Sequence, residues 1–236
     1  MFVESIFDDC FNRDKDIEEK FKKITDKTHC PYAKISKVKY LYCSDKLDEF
    51  DLKKILKGIL IFIRVMEKLK LDAFVIAIKN NLFASEVQIC LAVNKIFNFL
   101  YSQGVSNKMA DDIETPNWRL KLCEEKFFLS VFSSCYNKNS TRYFDDPRLY
   151  FLIFQPKLSF YRHLGSDCDK RKRMHDMVKS IFSKNNMDYK SPDLEANRYI
   201  PIKNKSGFYL KWWDMKHKKN TLPFSEFSEK SMCRLM

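Results

Sequence analysis

Residues 149–156 read LYFLIFQP: six apolar side chains in succession, then an amide and a proline. A run of strand length without polar alternation marks a strand covered on both faces, and proline, which lacks a ladder donor, closes it. AFVIAI at 73–78 and FFLSVF at 127–132 have the same character. A fourth segment, Ile35 to Cys43, sets Val38, Tyr40 and Tyr42 against Lys37 and Lys39, as a half-exposed strand does. Three buried strands and one half-exposed strand require a sheet with layers on both sides.

The helices that supply those layers are legible by period. Leu52, Ile55, Leu56, Ile59, Phe62, Ile63, Met66 and Leu69 recur at helical spacing and predict a helix over 46–70. Ser85, with Gln88 three residues on, predicts a capping box opening a helix that stops at Gly104. Asp167 and Asp169 follow Ser166 and open a third helix, 167–183, expected to turn Met174, Met177, Val178, Ile181 and Phe182 inward. Residues 14–24 read as a short charged helix. The stretches through Thr115-Pro116 and over 135–148 read as polar loops, and the aromatic tail with Trp212 and Trp213 as an irregular cover. The expectation is an α+β fold: a mixed β-sheet with flanking helices, forming a single domain over 1–236.

The chain has 236 residues, 45% hydrophobic and 31% charged, with only four glycines, so collagen-like, repeat and disordered architectures are set aside. The start lacks a basic region followed by an apolar one, and the apolar stretch 59–65 is interrupted by Arg64. No secretory signal or membrane span is therefore expected. Eight scattered cysteines, with no CxxC pair, read as reduced thiols of a cytoplasmic protein. The net charge of +12 raises nucleic acid as a partner, but the lysines are scattered. The one dense run, Lys170 to Arg173, reads as the solvated face of a helix, so this is the weakest of the readings.

Glycine-rich phosphate loops, HExxH and GxSxG are all missing, which removes the commonest nucleotide, zinc-hydrolase and serine-hydrolase sites. Chemistry-bearing residues remain in four places. Cys30, between His29 and Pro31, is held in an extended or turn conformation that aims its sulfur, making it a nucleophile or iron-ligand candidate; a loop with a buried thiol is the competing reading. Arg142, between two buried strands, is either a clamp for a carboxylate or an exposed loop residue. Gln155 either faces a pocket or satisfies a turn, and His163 is either a loop residue or a ligand. The carboxylates nearest in sequence are Asp111, Asp112, Glu114, Asp145 and Asp146, while His175 reads as a surface residue.

Together the segments HCPYAK (29–34), TPNW (115–118), FFLSVFSSCYNKNSTR (127–142), LYFLIFQPKLSF (149–160) and SPDLEANRYI (191–200) resemble the YqcI/YcgG family, with cover from about 28 to about 225. The family carries an FPC motif near its start and a CPF motif near its end. Here His29-Cys30 stands at the first, and Leu222-Pro223-Phe224 at the second with leucine replacing cysteine. Glu195 stands where a glycine usually follows Leu194. The chain is similar to the branch that includes the guanitoxin-pathway N-hydroxylase, a haem-dependent oxygenase acting on a guanidino nitrogen such as that of arginine. The resemblance implies haem b beneath the sheet, a small guanidino substrate and an external electron donor. Cys30, Arg142 and Gln155 fall in the shared motifs. Cys30 is the first candidate for the iron, with His29 and His163 as alternatives. A protein of this fold that binds another small ligand without haem is the alternative reading.

Overall fold

The computed structural model describes residues 15–80, 85–107, 112–116, 118–187, 189 and 192–215. Leu222-Pro223-Phe224, Asp111, Ser191, Cys10 and Cys233 lie outside them.

The chain opens with α1 (Lys15–Lys27) and a 3-10 turn (Ala33–Ile35). Then come β1 (Val38–Cys43), α2 (Glu49–Val65), β2 (Ala73–Lys79) and α3 (Glu86–Ser102). The hairpin of β3 (Leu120–Leu122) and β4 (Glu125–Phe132) follows, then β5 (Leu149–Pro156), α4 (Lys157–Leu164), α5 (Cys168–Lys184), α6 (Glu195–Tyr199) and a 3-10 turn at Trp212–Asp214. The five strands form one sheet in the order β1-β2-β5-β4-β3. β1 and β2 run parallel across the α2 crossover and the other pairs are antiparallel, so the sheet is mixed and the fold α+β.

β2 and β5 lie at the centre and are buried almost throughout, as their unbroken apolar runs require. Phe74, Ile76, Leu152 and Phe154 pack one face against α2, α3, Tyr199 and Trp212. Val75, Ala77, Phe151 and Ile153 pack the other face against Ile17, Phe21 and Ile24 of α1. Each wholly buried phenylalanine contributes roughly 2–3 kcal/mol of transfer free energy, so these two layers dominate the stability.

Ser85 and Gln88 form the expected capping box at α3, whose end is turned by Gly104 at φ +68°. α2 starts at Glu49, because Asp48 accepts from the Asp51 backbone as its N-cap. Three features differ from the sequence expectation. Pro156 stays in the ladder opposite Phe127 and also caps α4, so His163 lies on a helix rather than in a loop. β3 and β4 join through Cys123 and Glu124, both at positive φ. Met177 is exposed, and among the residues of α5 only Phe182 is buried, because α5 covers a cavity rather than the sheet.

Candidate functional site

The second sheet face is not filled along its whole width. At the end where β1 and β2 begin, its side chains are small or short: Val38, Ala73, Ser130 and Ile153. α1 covers the other end. The gap between α1, α4 and α5 is a cavity of about 420 Å³, walled by Phe128, Phe132, Phe160 and Phe182. Its size and predominantly apolar wall suit a small organic ligand.

Four of the five candidate residues meet there, brought from separate segments: Cys30, Arg142, Gln155 and His163. His29 does not join them. Thr28 Oγ1 accepts from the Cys30 backbone at 3.2 Å, and side chains then alternate: Thr28, Cys30 and Tyr32 line the cavity, whereas His29 and Pro31 are exposed. The His29 ring instead lies edge-on to Phe182 at 6.3 Å. Asp112, Glu114, Asp145 and Asp146 do not line the cavity; Glu114 binds Lys211, Asp145 the Tyr143 hydroxyl, and Asp146 pairs with Lys20.

Two other carboxylates do line it. Asp72, just ahead of β2, is 4% exposed and fully engaged. Its Oδ2 accepts from the Lys37 backbone at 2.9 Å, while Oδ1 meets Arg162 at 2.7 Å and His163 Nε2 at 2.9 Å. Glu195 is buried beside Arg198 at 3.5 Å and Arg119 at 3.9 Å. Burial raises its carboxyl above the ordinary range, against the pull of the two arginines. The sequence does not single out either one as a site residue: Asp72 is marked only by its place directly before AFVIAI, and Glu195 only by standing in the family's glycine position.

Arg142 is the unusual charge. Its guanidinium donates to the carbonyls of Arg198 at 3.0 Å and Tyr199 at 3.4 Å, the end of α6, where the helix dipole is negative. Phe128 and Phe132 lie 5.9 and 5.8 Å from it. Among the described residues no carboxylate pairs with it, and burial lowers its pKa from the ordinary value. Ser130 and Gln155 offer a hydroxyl and an amide to the same space, neither bonded by a described residue. His175 is exposed yet reaches the rim beside Tyr189, and burial together with Lys179 lowers its pKa.

A porphyrin needs an axial donor, an apolar slot and cations for its propionates. The Cys30 thiol or the His163 imidazole, the phenylalanine walls and Arg142 are a compatible set. A site built from protein ligands alone is not offered: among the described residues no three His, Cys, Asp or Glu gather to hold a metal ion. Among them, too, no helix is long and apolar enough to cross a membrane.

Fold and cavity thus define the class: a mixed-sheet α+β protein with a cavity between the sheet and a helical cover. The YqcI/YcgG family model matches residues 21–199, and the chain belongs to that family. No curated protein and no solved structure matches it.

Proposed function

We propose that the chain is a haem-dependent oxygenase that hydroxylates a guanidino or amino nitrogen of a small molecule, with haem b in the cavity under the sheet. The observation that carries this reading is the convergence of a thiol, an imidazole and an arginine without a carboxylate partner on one aromatic cavity. Bound haem supplies the activation of dioxygen; the nitrogen gains one oxygen atom, the other leaves as water, and an external donor gives two electrons.

The chain's own residues bind, orient and exclude water. Arg142 holds a carboxylate, of a propionate or of the substrate, through the fork it presents beyond its two carbonyl bonds. Glu195 faces the same space and pairs with a guanidino cation. Asp72 Oδ1 accepts from Nε2–H of His163, which leaves the unprotonated Nδ1 with its lone pair as the ligating nitrogen. The phenylalanines keep the reacting nitrogen dry.

A second reading, a protein of this fold that binds another small ligand without haem, is favoured by Leu222 in the place of the family's cysteine, and Arg142, without a carboxylate partner among the described residues, makes a carboxylate the ligand to test. Haemin titrated into the purified chain separates the two. A saturable Soret band at one equivalent, perturbed by arginine and altered in Cys30→Ala or His163→Ala, supports the oxygenase. No uptake of haemin leaves the carboxylate pocket.

A further inference from the structure

A second cavity, of about 450 Å³, lies on the far side of the Phe128–Phe160 pair and is lined by Arg119, Lys126, Phe127, Lys157 and Glu195. Phe128 and Phe160 meet edge-on at 6.5 Å and, with Glu195, belong to both cavities, so one aromatic wall separates the two.

Its charge is lopsided. Lys126 on β4 and Lys157 at the start of α4 are exposed, and among the described residues neither pairs with a carboxylate. Arg119 is held in place by the carbonyls of Pro116 at 2.9 Å and Trp118 at 2.6 Å, and only grazes Glu195 at 3.9 Å. Three lining cations face one buried carboxylate, which Arg198 shares at 3.5 Å, so at least two positive charges are left over an apolar floor. Beside it the Lys157 ammonium lies 5.0 Å from the Tyr161 ring, and its hydrogen bond to the phenol, with smaller contributions from the charges of Arg171 and Lys126, lowers the pKa of that group.

We infer that the second cavity binds a flat aromatic molecule bearing a phosphate ester, the ring against Phe128 and Phe160 and the phosphate between Arg119, Lys126 and Lys157. A phosphate dianion matches the two surplus charges, which a single carboxylate does not. A ring seated there lies one phenylalanine wall from the first cavity, the place a small redox donor of the reduced-flavin class would occupy. The binding claim itself does not depend on haem, because Lys126 and Lys157 line only the second cavity.

The test uses the full chain without haemin, with flavin mononucleotide, riboflavin and inorganic phosphate as probes, read by flavin fluorescence and equilibrium dialysis. The expected result is saturable binding of flavin mononucleotide, at least tenfold weaker binding of riboflavin, and competition by phosphate. Lys126→Gln with Lys157→Gln, both exposed and therefore compatible with the fold, should lower flavin mononucleotide affinity to the riboflavin level. Equal affinity for the two flavins, indifference to the double substitution, or no binding at millimolar probe overturns the inference. Haemin uptake by the same double variant should be unchanged, so failure here and failure of the oxygenase reading are told apart.

Discussion

Oδ1 of Asp72 lies 2.9 Å from Nε2 of His163, joining the lip of a central strand to a helix 91 residues later in the chain. Arg162 shares the same oxygen at 2.7 Å, so one buried carboxylate fixes α4 against the sheet and orients the imidazole on the cavity wall. Asp72→Ala leaves Arg162 and His163 without that partner and opens the Lys37 amide. We expect a loss of about 2 kcal/mol, below the full figure for breaking a buried pair because both basic partners are partly solvated. Urea unfolding measures it. His163→Gln, which keeps a donor toward Asp72, should lose less than half as much.

Glu195 gives a pH dependence of definite sign. Burial raises its folded-state pKa, so the folded chain holds this proton where the unfolded chain has released it. The cost of its charge is absent below the ordinary carboxylate range, appears as pH rises through the raised value, and is complete above it. Glu195→Gln should therefore unfold at higher urea than wild type at neutral pH, with the difference closing as pH falls below the ordinary range. A difference that grows toward acid would mean that the arginines outweigh burial.

The cysteines should separate by burial. Cys43 and Cys90 are fully enclosed; burial pushes the Cys90 thiol up to about 12 and that of half-buried Cys135 up to about 11, and raises Cys43 further. Cys168 is exposed and Cys30 half-buried on the cavity. Among the described cysteines, alkylation of the native chain, mapped by mass spectrometry, should label Cys168 first and Cys30 next, and reach Cys43 and Cys90 only in denaturant. A ligand seated in the first cavity should slow Cys30 and leave Cys168 unchanged.

How far the sequence carried these conclusions depended on how local each signal was. The runs at 73–78 and 149–154 declare strands buried on both faces, and the Ser85–Gln88 box needs only its own four residues. β3 was missed because its turn uses Cys123 and Glu124 at positive φ, where an Asn-Gly pair would have announced a hairpin. Met177 was expected inward because helical period cannot tell a helix packed on a sheet from one roofing a cavity. Cys30, Arg142 and Gln155 were legible as residues in shared motifs. Their companion Asp72 was not, since its importance comes from partners on a distant helix.

Arg142 is the residue on which the ligand reading turns, and its substitution can be arranged to separate charge from packing. Its stem and guanidinium fill the space between Phe128 and Phe132, and its fork ties the end of α6 through the carbonyls of Arg198 and Tyr199. Methionine keeps most of the volume and removes the charge, so Arg142→Met should remain folded, with the α6 carbonyls turning to water. Lysine keeps the charge but cannot form the fork. If Arg142 holds a carboxylate of the ligand, haemin affinity should fall about tenfold or more in Arg142→Met, equivalent to about 1.4 kcal/mol or more, and by a smaller factor in Arg142→Lys. The Soret position should not move in either variant, since neither alters a donor to iron. Unchanged affinity in Arg142→Met, with native circular dichroism, would make Arg142 a tie for α6 and nothing more.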